Sequence, residues 1–325
     1  MNKSNAIHRV NQLSRARSPF LLLVDFELDN IRIHTLKDLP STIRYEINLE
    51  GNNEARVDKT TRSKLHIKPH PFDKYYHQFD RVKDELLYGN SFLLNLTAQH
   101  EIETSQSLDD IYNQAQAKYK LHYAYDGEHF VVFSPETFVN IRKDLISSYP
   151  MKGTIDAHLP QAKEKLLSDE KESAEHNTIV DLIRNDLSIN AKEVVVTKFK
   201  YLDLLQTSQK NLYQMSSEIT GRLPEDYLDR LGDILFSMLP AGSISGAPKK
   251  KTVEIIQDTE SGPRGYYTGI CGIFDGENFD SFVLIRYIEE IDHKKYYRSG
   301  GGLTFMSEVE KEYQEMIDKI YIPQG

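Results

Sequence analysis

The chain has 325 residues, with 40 Lys and Arg against 49 Asp and Glu, and a single cysteine. The formal charge of −9 excludes an overall positive field for binding nucleic acid or an anionic membrane. One cysteine excludes an intrachain disulfide and favours a reducing compartment. The apolar runs are shorter than the ~20 residues of a membrane span, and no signal-peptide core is visible. We therefore expect a cytoplasmic protein.

Apolar periodicity and turn residues predict the elements in chain order. The first 18 or so residues read as a polar lead-in, and 51–70 as a surface connection. Strands are predicted over 20–26, 130–133, 194–199, 266–274, 279–288 and 295–299. Helices are predicted over 79–88, 108–119, 162–187, 227–238, 249–259 and 307–320. Strands cluster with strands, which favours an α+β fold of antiparallel sheets with outer helices in a single domain, 1–325.

Two predicted helices carry carboxylate pairs beside their apolar stripes. Glu172 and Glu175 are spaced i, i+3 and share a face of the first helix. Glu312 and Glu315 repeat the spacing in the last helix. Each pair alone is consistent with ordinary surface charge. Two inward pairs facing one cavity would need a hard cation, and Mg²⁺ is the cation that carboxylate oxygens favour.

Isolated basic residues and glycine runs give further candidates. Arg286 is predicted inside an apolar strand, where its partner is either a structural carboxylate or a substrate carboxylate. Lys152 stands between a proline and a glycine, which restrict the backbone on both sides. Segments 242–249 and 300–302 are predicted as glycine-rich turns whose N–H groups could hold an anion. An ordinary tight turn stays open for both.

Several sequence blocks occur in a fixed order between about residue 75 and the C-terminus. They are Ser134–Glu136, Pro150–Thr154, Asp169–His176, Val180–Asp186, Gly242–Lys249 and Gly300–Glu315. Together they resemble the chorismate-utilising enzymes, which include anthranilate, aminodeoxychorismate, isochorismate and salicylate synthases. The core match is 75–325, and the N-terminal segment 1–70 looks shortened. The resemblance implies two stacked antiparallel β-sheets flanked by outer helices, with the site in a deep cleft.

The resemblance also implies roles for individual residues. It assigns Lys152 as the catalytic nucleophile, and Glu136 is the candidate acid or base. The residues that match the Mg²⁺ site are Glu172, Glu175, Glu312 and Glu315. The residues that match substrate-binding positions are Tyr266, Arg286, Gly302, Lys319, Ser243, Gly153 and Thr154.

Lys152 indicates the subgroup within this family. Its segment Pro-Met-Lys-Gly-Thr resembles that of aminodeoxychorismate synthase component I, which acts in p-aminobenzoate and folate biosynthesis. Isochorismate and salicylate synthases also carry a lysine near this place. Members that eliminate pyruvate often have a histidine where this chain has Gln214, and glutamine cannot act as a general acid or base.

The expected reaction is therefore chorismate plus ammonia giving 4-amino-4-deoxychorismate. The lone cysteine, Cys271, lies in an apolar predicted strand, so a separate glutamine amidotransferase is expected to supply the ammonia. One alternative is an anthranilate or isochorismate synthase of the same family. Another is a non-catalytic Mg²⁺-dependent binding subunit that keeps the fold.

Overall fold

The computed structural model describes residues 1–48, 50–52, 65–205 and 211–323. The chain forms two compact units, each assembled from three segments. The first unit contains Met1–Asp38, Glu136–Lys249 and Arg264–Val283, and the second contains Leu39–Pro135, Lys250–Pro263 and Leu284–Gly325. The single catalytic domain stays a prediction. The predicted surface connection 51–70 falls largely outside the described residues.

The helices have the following bounds: α1 (Lys3–Arg15), α2 (Phe72–Tyr88), α3 (Leu108–Gln114), α4 (Ala162–Ser168), α5 (Glu170–Ser188), α6 (Leu231–Ser237), α7 (Gly242–Ser245), α8 (Lys249–Thr259) and α9 (Val309–Asp318). Short 3₁₀ turns span Leu36–Asp38 and Tyr227–Arg230. Among the described residues, no helix is both long and apolar enough to cross a membrane.

The strands have the following bounds: β1 (Phe20–Val24), β2 (Arg32–Thr35), β3 (Ile43–Ile47), β4 (Glu50–Gly51), β5 (His66–Lys68), β6 (Leu93–Glu103), β7 (Tyr119–Tyr125), β8 (Glu128–Ser134), β9 (Thr137–Arg142), β10 (Leu145–Ser148), β11 (Met151–Asp156), β12 (Lys192–Leu205), β13 (Leu212–Arg222), β14 (Gly246–Ala247), β15 (Ile270–Phe274), β16 (Phe279–Val283), β17 (Tyr287–Ile291) and β18 (Lys294–Leu303).

The first unit is built on an antiparallel sheet. Its strand order is β11-β13-β10-β9-β16-β15-β1-β2, and β12 also pairs with β13. Strand β1 is buried along its whole length, as its unbroken apolar sequence Phe-Leu-Leu-Leu-Val predicts. Strands β15 and β16 form an antiparallel hairpin, in which Phe274 pairs with Phe279.

The second unit is built on another antiparallel sheet. Its order is β6-β18-β17-β8-β7-β3-β4, with β5 pairing with β6. A core cluster that includes Leu108, Ile111 and Tyr112 of α3 packs with Val131, Phe133, Ile288 and Tyr297 of the sheet. The prediction of antiparallel sheets with helices is confirmed, and the stacking of the two sheets stays a prediction.

The N-terminal residues form a helix, so the predicted polar lead-in was wrong. Asn2 caps α1, since its side chain accepts the Asn5 N–H. Ala6, Val10 and Leu13 are buried on one face at helical spacing. The apolar face of α1 is narrow. Polar residues separate its apolar positions along the sequence, so the helical spacing is difficult to recognise.

The predicted helix over 162–187 is broken into α4 and α5. Asp169 between them has extended backbone angles, and its Oδ1 accepts the Glu172 N–H at 2.9 Å. Asp169 is therefore the N-cap of α5 rather than a residue inside one continuous helix. Because α5 begins at Glu170, both Glu172 and Glu175 lie in its first two turns.

Two other predictions about local structure were wrong. The predicted strand over 279–288 stops at Val283 and resumes at Tyr287, and Arg286 lies between the two strands with φ of 55°. The glycines at 300–302 belong to strand β18 rather than to a turn. Strand β6 approaches so closely that a Cβ on Gly300 would lie 2.5 Å from the Leu96 carbonyl oxygen.

Buried histidines in the second unit predict a pH dependence of stability. Burial lowers the pKa of both His100 and His122 to about 4. The unfolded chain therefore binds more protons between pH 6.5 and 4, and the free energy of unfolding should fall as the pH drops through that window. From pH 7 to pH 5 we expect each to contribute a loss on the order of 2 kcal/mol, measured by urea denaturation. Equal stability at the two pH values would contradict this prediction.

Candidate active site

A bulge in β11 presents Lys152. Between the pairs that Met151 and Thr154 make with β13, strand β11 carries one residue more than its partner. Gly153 has φ of +78°, and a Cβ there would lie 2.9 Å from the Glu172 Oε2. Only glycine fits this backbone without strain. A bulge bends its strand and redirects the side chain it carries, and here that side chain is the predicted nucleophile.

Glu175 is the anionic partner of Lys152. Its Oε2 lies 3.5 Å from the Lys152 Nζ, and its Oε1 lies 3.9 Å from the Nζ of Lys171, one helical turn away. Glu175 is 6% exposed, so its carboxylate depends on these cations rather than on water. The first unit thus brings together four predicted site residues, namely Lys152, Gly153, Glu172 and Glu175.

A second pair of predicted residues lies elsewhere in this unit. The Ser243 hydroxyl, on the short helix α7, donates a hydrogen bond to the Glu136 carboxylate. The Glu136 main chain is fixed as well, because its carbonyl accepts the Val283 N–H at 3.1 Å. Both residues line a pocket that is also bounded by Pro150 and Asp186. The pocket therefore reaches the segment that leads into Lys152.

Hydrogen bonds from two charged side chains, which the sequence analysis did not identify as site residues, fix the 242–249 segment. Lys249 Nζ donates to Asp186 Oδ2 at 2.7 Å, and burial lowers the pKa of Lys249 while it raises that of Asp186. Arg264 is 2% exposed, and its Nη1 donates to the Ile244 carbonyl at 2.9 Å. A long charged side chain flanked by Pro and Gly is the signal that could have identified Arg264.

Tyr266 and Thr154 also belong to the first unit. Tyr266 is buried just before β15, and its carbonyl accepts the Gly269 N–H at 2.9 Å. Thr154 is exposed on β11 directly after the bulge. Their substrate-binding roles stay predictions.

In the second unit, α9 places its glutamates against the glycines of β18. A Cβ on Gly301 would lie 3.7 Å from Lys319 Nζ, 3.8 Å from Glu312 Oε2 and 3.9 Å from Glu315 Oε1. Lys319 Nζ pairs with Glu315 at 2.7 Å and donates to the Gly300 carbonyl at 3.1 Å. Glu312 is 3% exposed. Both glutamates and the predicted substrate lysine therefore converge on one glycine.

Arg286, in the segment between β16 and β17, contacts the lysine of this cluster. Its Nη1 donates to the Lys319 carbonyl at 2.7 Å, and its guanidinium lies 4.7 Å from the centre of the Tyr321 ring. Within the described residues its buried Nε has no hydrogen-bond partner. Such a donor suits an anionic oxygen. Gly302 follows Gly301 in strand β18 and pairs with Asn95 of β6.

The donor chemistry of each glutamate pair fits magnesium, which prefers carboxylate oxygens. Glu172 and Glu175 belong to the first unit and Glu312 and Glu315 to the second, and Glu175 and Glu312 are buried. Over the ranges that the structure describes, no group of three or more His, Cys, Asp or Glu could hold a metal ion. The four-glutamate Mg²⁺ site therefore stays a prediction.

A model of the chorismate binding enzyme family matches residues 19–324. The chain belongs to this family. The chain is 48% identical over 321 residues to an uncharacterised PabA-like protein of Pasteurella multocida, covering 98% of both chains. It is 33% identical over 258 residues to a Schizosaccharomyces pombe protein provisionally named aminodeoxychorismate synthase, covering 75% of this chain and 35% of that one.

Solved structures share the fold. Anthranilate synthase component I from Streptococcus pneumoniae matches 79% of this chain and 58% of its own, with a TM-score of 0.68 and 28% identity. DhbC from Bacillus anthracis, provisionally named a 2,3-dihydroxybenzoate-specific isochorismate synthase, matches 98% of this chain and 87% of its own, with a TM-score of 0.75 and 17% identity. The family expected from the sequence is confirmed, and so is a fold of two antiparallel sheets with helices.

Proposed function

We propose that this chorismate-binding enzyme combines chorismate with ammonia to give 4-amino-4-deoxychorismate. The position of Lys152 carries the proposal. The β11 bulge holds its amine 3.5 Å from the buried Glu175, in the segment that resembles aminodeoxychorismate synthase component I. The provisional name of the S. pombe relative supports the same activity.

The proposed reaction has two displacements. Lys152, whose ammonium form first gives a proton to solvent, attacks C2 of chorismate as the free amine, the ring double bond shifts, and the C4–O bond breaks, with the hydroxyl leaving as water after it gains a proton. Ammonia then forms a bond to C4, the double bond shifts back, and the C2–N bond to Lys152 breaks. Glu136, oriented by Ser243, is the proposed proton donor to the departing hydroxyl.

The second unit would bind the anionic groups of the substrate. Arg286 offers a buried donor, and Lys319 adds a positive charge beside Gly301. Magnesium, held by Glu172, Glu175, Glu312 and Glu315, would supply positive charge for a substrate carboxylate. Tyr266, Gly302, Gly153 and Thr154 complete the proposed binding surface.

One observation argues against an anthranilate synthase. Gln214 stands where pyruvate-eliminating members carry histidine, and its Oε1 is buried with no hydrogen-bond partner in the described residues of the chain. An amide there cannot move a proton. An isochorismate synthase would use the same lysine to activate water in place of ammonia. A non-catalytic binding subunit would not need the bulge that presents Lys152.

Product analysis separates these functions. The purified protein is incubated with chorismate and Mg²⁺, with and without isotope-labelled ammonium, and the products are identified by mass spectrometry. We expect labelled 4-amino-4-deoxychorismate only when ammonium is present. Isochorismate as the main product in both mixtures, or no turnover at all, would overturn the proposal.

A glutamine amidotransferase subunit is the proposed ammonia source. Cys271 is the single cysteine of the sequence, it is fully buried, and burial raises the pKa of its thiol, so it is unsuited to attack glutamine. We predict that the purified chain uses ammonium salts, better at alkaline pH, and ignores glutamine. Adding the amidotransferase should permit glutamine use, as followed by aminodeoxychorismate formation. Efficient glutamine use by this chain alone would contradict the prediction.

A further inference from the structure

A closed set of hydrogen bonds in the second unit involves two buried side chains that the proposed reaction does not use. His100 of β6 is 0% exposed and Ser299 of β18 is 3% exposed. The His100 Nδ1 lies 3.1 Å from the His70 main-chain nitrogen, and its Nε2 lies 3.1 Å from the Ser299 Oγ. The Ser299 hydroxyl lies 2.9 Å from the Met316 carbonyl of α9.

The direction of each bond follows from its donors. A main-chain N–H can only donate, so the His100 Nδ1 accepts and the neutral ring carries its proton on Nε2. That proton is donated to the Ser299 Oγ, whose own proton goes to the Met316 carbonyl. The Tyr313 hydroxyl of α9 donates to the His70 carbonyl at 2.6 Å. This set of hydrogen bonds therefore begins at Tyr313 and ends at Met316, both of which lie on α9.

The Ser299 hydroxyl donates to a main-chain carbonyl that has no hydrogen-bond donor within its own helix. The Met316 carbonyl belongs to the last four of α9, which have no partner within the helix. Ser299 supplies that partner and directly precedes Gly300, the glycine whose carbonyl accepts Lys319. The last turn of α9 is thus tied to β18 at the place where Glu312 and Glu315 meet Gly301.

We propose that His100 and Ser299 are positioning residues that fix α9 on β18, so that Glu312 and Glu315 are held in the geometry that binds Mg²⁺. The inference rests on the proposed function, because it assigns these glutamates to the metal. Side chains that bind a metal must be held within about 0.5 Å of the binding geometry, and hydrogen bonds from supporting residues act together with packing to hold them there.

The test compares variants of these bonds with a matched control. Ser299→Ala removes the partner of the Met316 carbonyl, and His100→Asn keeps an acceptor for the His70 N–H but loses the donor to Ser299. Tyr313→Phe is a milder change that removes one bond from a partly exposed residue. The control is Ser281→Ala, since Ser281 is a buried serine of the first unit that bonds to the Val139 main chain and should cost similar stability.

Two quantities are measured for each folded variant: Mg²⁺ binding by calorimetric titration, and the half-saturating Mg²⁺ concentration for amination. We expect both the dissociation constant and the half-saturating concentration to rise at least tenfold in Ser299→Ala and His100→Asn, severalfold in Tyr313→Phe, and not in Ser281→Ala. His100→Gln, which restores a donor toward Ser299, should recover some of the affinity.

Two outcomes would contradict the inference in different ways. If the wild-type protein binds Mg²⁺ and aminates chorismate but all the variants match Ser281→Ala, the positioning role is wrong. If the wild-type protein neither binds Mg²⁺ nor aminates chorismate, the proposed function fails, and this inference fails with it.

Discussion

Replacing Lys152 with alanine is expected to abolish amination while chorismate still binds. The loss should be on the order of 10³-fold or more in kcat, because the variant lacks the amine that forms the bond to C2. The bulge at Gly153 would remain, since its geometry depends on the glycine and not on the lysine. Single-turnover kinetics and chorismate binding by calorimetry measure the two effects separately.

Lys171→Ala is the matched control. Lys171 also lies beside Glu175, with its Nζ 3.9 Å from the carboxylate, so the control removes a similar charge without removing the proposed nucleophile. We expect Lys171→Ala to retain most of the activity. Near wild-type turnover by Lys152→Ala would exclude the covalent route and favour direct attack by ammonia.

Glu175→Gln and Glu312→Gln should each lower Mg²⁺-dependent amination by on the order of 100-fold or more. Glutamine has the shape of glutamate but no charge, so it binds a hard cation poorly. Both glutamates are buried, so water cannot replace the lost carboxylate. Amination rates over a range of Mg²⁺ concentrations, with circular dichroism to confirm folding, give the result.

Glu308→Gln serves as the control for these variants. Glu308 stands at the N-cap position of α9 without a side-chain capping hydrogen bond, and its exposed carboxylate pairs with Lys311, so its loss should leave Mg²⁺ dependence unchanged. Wild-type protein should also gain thermal stability when Mg²⁺ and chorismate are added together, because ligands that bind only the folded state stabilise it. Full activity in excess chelator would exclude the role of the metal.

The sequence predicted elements with strong periodicity and failed where single residues decide the backbone. Helix α8 has the predicted bounds, because its apolar positions recur at helical spacing without a break. The break at Asp169 was missed, because a cap and a mid-helix aspartate look alike until the backbone angles are known. The kink at Arg286 was missed for the same reason, since its φ of 55° is rare for a residue other than glycine.

The candidate site was predictable in its members but not in its arrangement. The i, i+3 spacing places Glu312 and Glu315 on one face of α9, and the structure confirms that both face Gly301. The ion pair between Lys152 and Glu175 joins a strand to a helix, and sequence spacing holds no information about such long-range contacts. The hydrogen bonds that His100 and Ser299 make could not be predicted from the sequence for the same reason.

Intact-protein mass spectrometry tests the central claim, covalent activation of chorismate by Lys152, most directly. The protein is incubated with chorismate and Mg²⁺ in ammonia-free buffer, quenched, and digested to locate any adduct. We predict an added mass equal to chorismate less one water, located on Lys152, absent from Lys152→Ala and lost on adding ammonium as aminodeoxychorismate forms. Production of 4-amino-4-deoxychorismate by a protein that never carries this adduct, with Lys152→Ala equally active, would contradict the claim.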